Sequence, residues 1–126
     1  MLLLDEIVEQ TETKIICRRT FRADEFFFQG HYPNFPLVPG VILCEAAMQA
    51  GAVLLSKYTA VGSGVPVAGR MSEVKFKKMI RPGDTILIEA ELTERVVDAF
   101  FLTAKVTSEG KVAARLEFVV TIAPMK

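Results

Sequence analysis

The chain has 126 residues and a formal net charge of zero, from 15 basic and 15 acidic side chains. This balance excludes a strong overall attraction to nucleic acid or to a membrane surface. The length predicts one domain that spans the whole chain and has its own core. The hydrophobic content of 51% is slightly high and indicates apolar surface buried between subunits.

Two further features of composition indicate a reducing cytoplasm. The two cysteines, Cys17 and Cys44, are too few for a disulfide framework. The apolar residues 1–4 are followed at once by Asp5 and Glu6, which is unlike a secretion signal. We therefore expect a cytoplasmic protein.

The first third of the chain predicts two short strands and an irregular segment. Residues 6–20 are expected to form the strands around the polar turn 11–13, with the second strand running from Lys14 to Thr20. Residues 24–28 are expected to be irregular, with their aromatic side chains packed beneath the segment that follows.

A proline-rich loop and a long helix come next. Pro33, Pro36 and Pro39 exclude a helix or a central strand, so residues 31–39 are predicted to form a fixed, extended loop. Gly40 opens a stretch of strong helix formers that is predicted to be helical to about Tyr58. This helix is apolar on almost every side, which is typical of a core helix wrapped by other structure.

The last half of the chain has the periodicity of strands. Residues 61–64 are predicted to be a flexible connection, and residues 65–79 a long extended segment with possible breaks at Pro66 and Gly69. Apolar side chains then alternate with polar ones over residues 85–92, 100–107 and 112–122, with turns at 82–84 and 109–110. The prediction is an α+β fold in which a curved antiparallel sheet wraps around one long central helix.

Glu45 and His31 are the candidate catalytic residues. An apolar helix gives a carboxyl group no obvious partner, so a structural Glu45 would need to be protonated, paired or hydrogen-bonded. His31 is the only histidine in the chain, and a single histidine is more often structural than catalytic. Together they place one titratable group on a stiff loop and another on the helix that follows, which favours divided acid and base roles.

The same segment resembles a known enzyme family. The stretches Gly30-His31-Tyr32-Pro33, Pro36 to Val41, Glu45-Ala46 and Gln49 are similar to the active-site loop and helix of the 3-hydroxyacyl-acyl carrier protein dehydratases. Residues 28–30 and 81–84 extend the likeness, which covers nearly the whole chain. The chain departs from the family pattern at Asn34, where glycine is usual, and at Val67, where a tyrosine often lines the acyl tunnel.

The resemblance implies a hot-dog fold and the removal of water from a (3R)-3-hydroxyacyl thioester, giving a trans-2-enoyl thioester. His31 would take a proton from C2, and Glu45, kept protonated by its apolar helix, would give one to the departing hydroxyl. The N–H of Gly40, at the start of the helix, would stabilise the developing oxyanion. Val41 is expected beside it in substrate binding, and Gln49, one turn beyond Glu45, is expected to orient that carboxyl group.

The resemblance also predicts partners. The expected substrate is carried by acyl carrier protein. The resemblance implies a homodimer or a trimer of such dimers, in which each site takes His31 from one subunit and Glu45 from the other. We expect no metal, because one histidine and two scattered cysteines do not make a usual ligand set. No other cofactor is expected. Cys44 is interpreted as a packing residue.

A basic cluster is the candidate docking surface for the acidic carrier protein. The alternative is a solvated strand face. The cluster comprises Lys75, Lys77, Lys78 and Arg81.

Two other functions remain open. A hot-dog acyl thioesterase would also use a carboxylate near the helix, but it does not account for His31 at this spacing. A non-catalytic acyl-binding paralogue would fit the two departures from the family pattern, but not the intact pair of His31 and Glu45.

Overall fold

The computed structural model has one antiparallel sheet and one helix, and it describes residues 3–22, 38–56 and 65–123. Within these residues the sheet has six strands in the order β1-β2-β4-β5-β6-β3, and it curves around the helix. The elements are β1 Glu6–Gln10, β2 Lys14–Thr20, α1 Gly40–Leu54, β3 Val65–Phe76, β4 Thr85–Val96, β5 Ala99–Ser108 and β6 Lys111–Ala123. The predicted architecture is confirmed.

The alternating side chains produce the sheet's two faces. In β4, Ile86, Ile88 and Ala90 are fully buried, while the residues between them are exposed or half-buried. The buried positions of β5 and β6 lie on the same face of the sheet, because most of them pair across the ladder with a buried neighbour, as Ala104 does with Ala90. The core therefore lies between this face and helix α1.

Strand β3 forms one edge of the sheet. It pairs with β6, and within the described residues its other side has no strand beside it. Pro66 is tolerated there because it pairs with Ile122 in an edge strand, where one side of the ladder needs no N–H donor. The register shifts between Ala68 and Arg70, so the predicted break at Gly69 is a bulge.

The predicted turns at 82–84 and 109–110 are confirmed. Glu109 and Gly110 both have positive φ, at 53° and 77°, and Ser108 pairs with Lys111 across them. This is the conformation that two-residue hairpin turns favour. Gly83 has a φ of 94° in the other turn, and its N–H donates to the carbonyl of Phe21 at 2.7 Å.

Helix α1 differs from its prediction in length and in burial. It ends at Leu54 rather than near Tyr58, and Tyr58 lies outside the described residues. The predicted irregular segment 24–28, residues 31–37 of the predicted loop 31–39 and the predicted connection 61–64 also lie outside them. It is also not buried on every side. One stripe is exposed or half-buried, and its spacing follows one helical face: Val41, Glu45, Met48, Gln49 and Ala52. We call these residues the open stripe.

Helix α1, with 15 residues, is too short to cross a membrane, and the described residues contain no other α-helix.

Gly51 explains how closely the helix approaches the sheet. A Cβ atom built there would lie 2.9 Å from the Phe118 ring and 3.2 Å from a Leu102 methyl group. Both side chains are almost fully buried, so neither has room to move. Glycine is needed at this position because of packing.

We expect Gly51→Ala to lower the free energy of unfolding by about 1–2 kcal/mol. Overpacking a core costs roughly 1–3 kcal/mol, and the better helix propensity of alanine returns up to about 1 kcal/mol. Chemical denaturation of both proteins measures the difference. Gly40→Ala is the matched control: its neighbour, the half-exposed Phe76 ring, is able to turn aside, so stability should change by less. Equal losses in the two variants would contradict this explanation.

Candidate active site

The loop that precedes the helix is anchored at its described end. The N–H of Val38 donates to the carbonyl of Ile80 at 2.7 Å, and the Val38 side chain is buried. This bond ties the start of α1 to the segment that follows β3. His31 and Asn34 lie outside the described residues, so their predicted roles continue to depend on the family resemblance.

The start of α1 presents backbone donors. The N–H of Ile42 donates to the carbonyl of Pro39 at 2.9 Å, and no side chain among the described residues caps the helix. Within the described residues, no backbone carbonyl accepts the N–H of Gly40 or of Val41. These N–H groups, at the positive end of the helix dipole, suit a developing negative charge.

The ring of Phe76 lies close against Gly40. A Cβ atom at position 40 would be 2.7 Å from the tip of the Phe76 ring. The positive-φ glycines described are Gly83 and Gly110, so the backbone conformation of Gly40 does not require glycine. The sequence analysis assigned Gly40 to the helix start and to oxyanion stabilisation, and it did not detect this contact.

Glu45 belongs to the open stripe and is half-buried. Within the described residues, no hydrogen bond or ion pair engages its carboxyl group. It follows Val41 by four residues, so the two side chains lie on the same face, and side chains on a helix lean toward its N-terminus. Glu45 therefore extends toward the end of the helix that carries the Gly40 N–H.

Gln49 has a partner that the sequence did not predict. Its Oε1 accepts a hydrogen bond from the N–H of Leu3 at 2.7 Å, and the Leu3 side chain is fully buried. The amide oxygen thus anchors the N-terminal segment to helix α1. Among the described residues, no hydrogen bond joins Gln49 to Glu45, so an orienting role for Gln49 stays a prediction.

Cys44 packs in the core, as predicted. Its side chain is almost completely buried, on a different face of the helix from Glu45. Burial raises the pKa of the Cys44 thiol above its ordinary value, which keeps the thiol neutral at physiological pH. A nucleophilic role for Cys44 is therefore disfavoured.

A groove of about 250 Å³ opens beside the first turn of α1. Its lining is apolar apart from one lysine: Val38, Gly40, Leu43, Phe76, Lys78, Met79 and Ile80. Leu43 and Glu45 are two residues apart and so point in nearly opposite directions around the helix, about 200° apart. The groove and Glu45 therefore lie on opposite sides of the helix. Both are near its N-terminal end, where the Gly40 N–H lies.

The predicted basic cluster does not lie on a single face. Lys75 pairs with Arg115, whose side chain is exposed, whereas Phe76 pairs with the buried Ala114. Successive residues of a strand point to opposite faces, so Lys75 lies on the face of the sheet away from the helix. Lys78 lines the groove on the helix side, and its Nζ donates to the carbonyl of Ser108 at 3.3 Å.

Comparison with known proteins places this arrangement in a family. Residues 7–116 match the ApeI-like family model, described as ApeI dehydratase. The 3-hydroxyacyl-[acyl-carrier-protein] dehydratase FabZ of Clostridium perfringens is 36% identical over 121 residues, covering 96% of this chain and 87% of the relative. FabZ of Streptococcus suis is 41% identical over 115 residues, covering 90% and 81%.

A solved structure shares the fold. The dehydratase heterocomplex ApeI:P from Xenorhabdus doucetiae aligns with a TM-score of 0.80 at 15% identity, over 97% of this chain and 83% of that chain. The fold and the sequence matches together define a hot-dog dehydratase. The chain belongs to the 3-hydroxyacyl-[acyl-carrier-protein] dehydratase family, and the predictions of the fold and of the enzyme class are confirmed.

Proposed function

We propose that the protein removes water from (3R)-3-hydroxyacyl thioesters carried by acyl carrier protein, as a step of fatty acid biosynthesis in the cytoplasm. The relatives named above are dehydratases of this substrate class, and the chain covers more than four-fifths of each of them. The observation that carries the proposal is the arrangement of α1, which has N–H groups at its first turn that no described backbone carbonyl accepts, and Glu45 on its open stripe.

The chemistry follows from the groups at this end of the helix. The thioester oxygen accepts the Gly40 N–H, which stabilises the charge that forms as His31 removes a C2 proton. The electrons of that C–H bond form the C2–C3 double bond, while the C3–O bond breaks. Glu45 gives its proton to the departing hydroxyl, which leaves as water. Transfer of the proton from His31 back to Glu45 through solvent resets both groups.

The proposal is tested by the product. Purified protein is incubated with 3-hydroxyacyl carrier protein of each configuration at C3, and intact carrier is analysed by mass spectrometry. We expect carrier lighter by one water from the 3R substrate and no change from the 3S substrate. Carrier that has lost its acyl group would instead support the thioesterase alternative, and unchanged carrier would support the non-catalytic one.

We also propose that the enzyme is an isologous homodimer with sites shared between subunits. Val41, on the open stripe, is 70% exposed in the single chain, and Met71 lies exposed on β3. The side of β3 that faces away from β6 is a long unpaired edge within the described residues. Exposed apolar residues beside an open strand edge favour association with a second copy. Assembly as a trimer of dimers remains part of the proposal.

The proposed docking surface is limited to Lys77, Lys78 and Arg81, since Lys75 lies on the other face of the sheet. We expect Lys77→Glu combined with Lys78→Glu to raise KM for carrier-bound substrate about tenfold, because reversed charge disfavours encounter with an acidic partner. Steady-state assays at low and high salt measure the effect, which should shrink as salt rises.

The matched control for this variant is Lys75→Glu, which changes the same charge on the opposite face and should leave KM unchanged. A small thioester mimic provides a second control, because it makes no protein contacts. An equal rise in KM for carrier and mimic would count against a docking surface.

A further inference from the structure

The hairpin between β4 and β5 ends in two exposed valines. Val96 is 51% exposed and Val97 is 79% exposed. Strand β2 pairs with β4 only as far as Glu91, so within the described residues the last part of β4 extends past this neighbour. The end of the hairpin, residues 95–98, therefore projects with apolar side chains at its extremity. We call these four residues the β4–β5 tip.

Val97 also has an unfavourable backbone conformation. It is the first residue of a two-residue loop, since Val96 pairs with Ala99, and its φ is 53°. Glycine is favoured at such a position, and a β-branched residue there is an outlier. Neither local preference nor burial within its own chain favours valine here, which suggests a contact with another molecule.

The hairpin between β5 and β6 provides a comparison within the same sheet. Glu109 also begins a two-residue loop, and its φ is likewise 53°. It is exposed, and Gly110 follows it. That turn has the polar and glycine residues that exposed turns generally carry. The two turns therefore share this φ value but differ in the apolar character of the β4–β5 tip.

Opposite charges flank the two valines. Arg95 precedes them and Asp98 follows them. The Nε of Arg95 donates to the carbonyl of Val97 at 3.1 Å, and its guanidinium carbon lies 4.9 Å from the centre of the Phe100 ring, so Arg95 is held beside the tip. Within the described residues, no hydrogen bond or ion pair engages the Asp98 carboxyl group. Such a surface is complementary to a copy of itself, because a two-fold axis can place Arg95 of one copy beside Asp98 of the other.

We propose that the β4–β5 tip is a self-association surface, at which two copies of this chain meet tip to tip about a two-fold axis. The partner is a second copy because the tip is self-complementary in charge, whereas an acidic carrier protein would meet Asp98 with like charge. The tip is also separate from the edge strand β3, since β6 lies between β5 and β3 in the sheet. One chain can therefore use both surfaces.

The consequence is a ring. Two different isologous contacts, used in alternation, close a ring that has an even number of chains. The edge of β3 supplies one contact in the proposed dimer, and the tip supplies the other. The tip is thus the contact between dimers that a trimer of dimers needs, and it does not depend on the chemistry at Glu45.

Val97→Cys tests the contact directly. The two copies of residue 97 lie near the axis, so oxidation by air with a copper catalyst should join chains in pairs through a disulfide, as shown by a non-reducing gel. The native Cys17 and Cys44 are buried and should not react. Glu109→Cys is the matched control and should give no pairs. Equal crosslinking of the two variants, or none in Val97→Cys, would overturn the proposal.

Val97→Gly tests the contribution of the side chain. The variant should fold, because glycine relieves the left-handed conformation. Sedimentation should show dimers where the wild type forms a larger assembly. We expect the association constant to fall about a hundredfold, because burial of one valine is worth roughly tenfold and the axis counts it twice. Glu109→Gly is the control and should assemble like the wild type.

Three results of this experiment would contradict the proposal. The first is a wild type that does not associate beyond the dimer, and the second is a Val97→Gly variant that assembles normally. The third is normal assembly of Val97→Gly with a raised KM for carrier-bound substrate, which would make the tip a surface for carrier protein.

Charge reversal tests the two-fold arrangement. Asp98→Arg gives a tip with two positive charges and Arg95→Asp a tip with two negative charges, so each variant alone should stay dimeric. A mixture of the two should assemble, because unlike tips then meet, and added salt should weaken the association. Circular dichroism checks that both variants are folded; if Arg95→Asp is not, Asp98→Arg alone should still stay dimeric. Normal assembly of Asp98→Arg, or no assembly in a mixture of folded variants, would overturn the proposal.

Discussion

Glu45→Gln is expected to lower kcat by about 10²–10⁴-fold while leaving the protein folded. The amide keeps the size of the carboxyl group but carries no proton that it can give to the departing hydroxyl. Glu45 is half-buried and bonds to no other described residue, so the change removes no hydrogen bond or ion pair within the described part of the chain. His31→Ala should lose activity to a similar extent, since the C2 proton then has no base.

Measurements of folding and assembly are the control for both variants. The melting temperature and the sedimentation coefficient of both variants should match those of the wild type. Gln49→Leu, by contrast, should have a lower melting temperature, because it removes the acceptor of the Leu3 N–H. Turnover near the wild-type rate in either Glu45→Gln or His31→Ala would refute the assignment. Unfolding of both variants would instead support a structural role for the two residues.

Mixing His31→Ala chains with Glu45→Gln chains is expected to restore activity to two inactive proteins. If each site takes His31 from one subunit and Glu45 from the other, a mixed dimer has one site with both defects and one with neither. Random exchange of equal amounts makes half of the dimers mixed, so about a quarter of wild-type activity should return. Native mass spectrometry of differently tagged chains measures the exchange.

A site built from a single chain predicts the opposite result. If both groups came from one chain, every site would lack one of them, and activity would stay low after complete exchange. Mixing each variant with itself controls for activation by the exchange conditions. Confirmed mixed dimers without recovered turnover would rule out the shared site.

The strands of the sheet could be predicted from the sequence because the patterns that indicate them are local. The alternation of Ile86, Ile88 and Ala90 with polar residues determines which face of β4 is buried, whatever lies next to it. Gly110 likewise indicates a turn, because the turn needs a positive φ and glycine adopts it readily. Periodicity and turn residues of this kind act over a few positions, so they can be read without the tertiary structure.

Features that depend on distant contacts were missed. The hairpin between β4 and β5 turns at Val97, whose φ of 53° is unfavourable for a β-branched residue, so pairing of the strands and not local preference places the turn there. The end of α1 at Leu54 likewise has no glycine or proline to signal it. At the site, the motif predicted Glu45 and Gly40, but not the contacts of Gly40 with Phe76 or of Gln49 with Leu3. Those pairs are far apart in sequence, and no local pattern relates them.

The central claim, that water leaves C3 of an intact thioester, is tested most directly in the reverse direction. Enoyl carrier protein is incubated with the enzyme in water labelled with a heavy oxygen isotope, and the products are analysed by mass spectrometry. The account predicts carrier that keeps its acyl group and gains one labelled hydroxyl at C3, with no label incorporated by Glu45→Gln at the same enzyme concentration. Label found in a released carboxylic acid, with free carrier beside it, would show hydrolysis of the thioester and contradict the account.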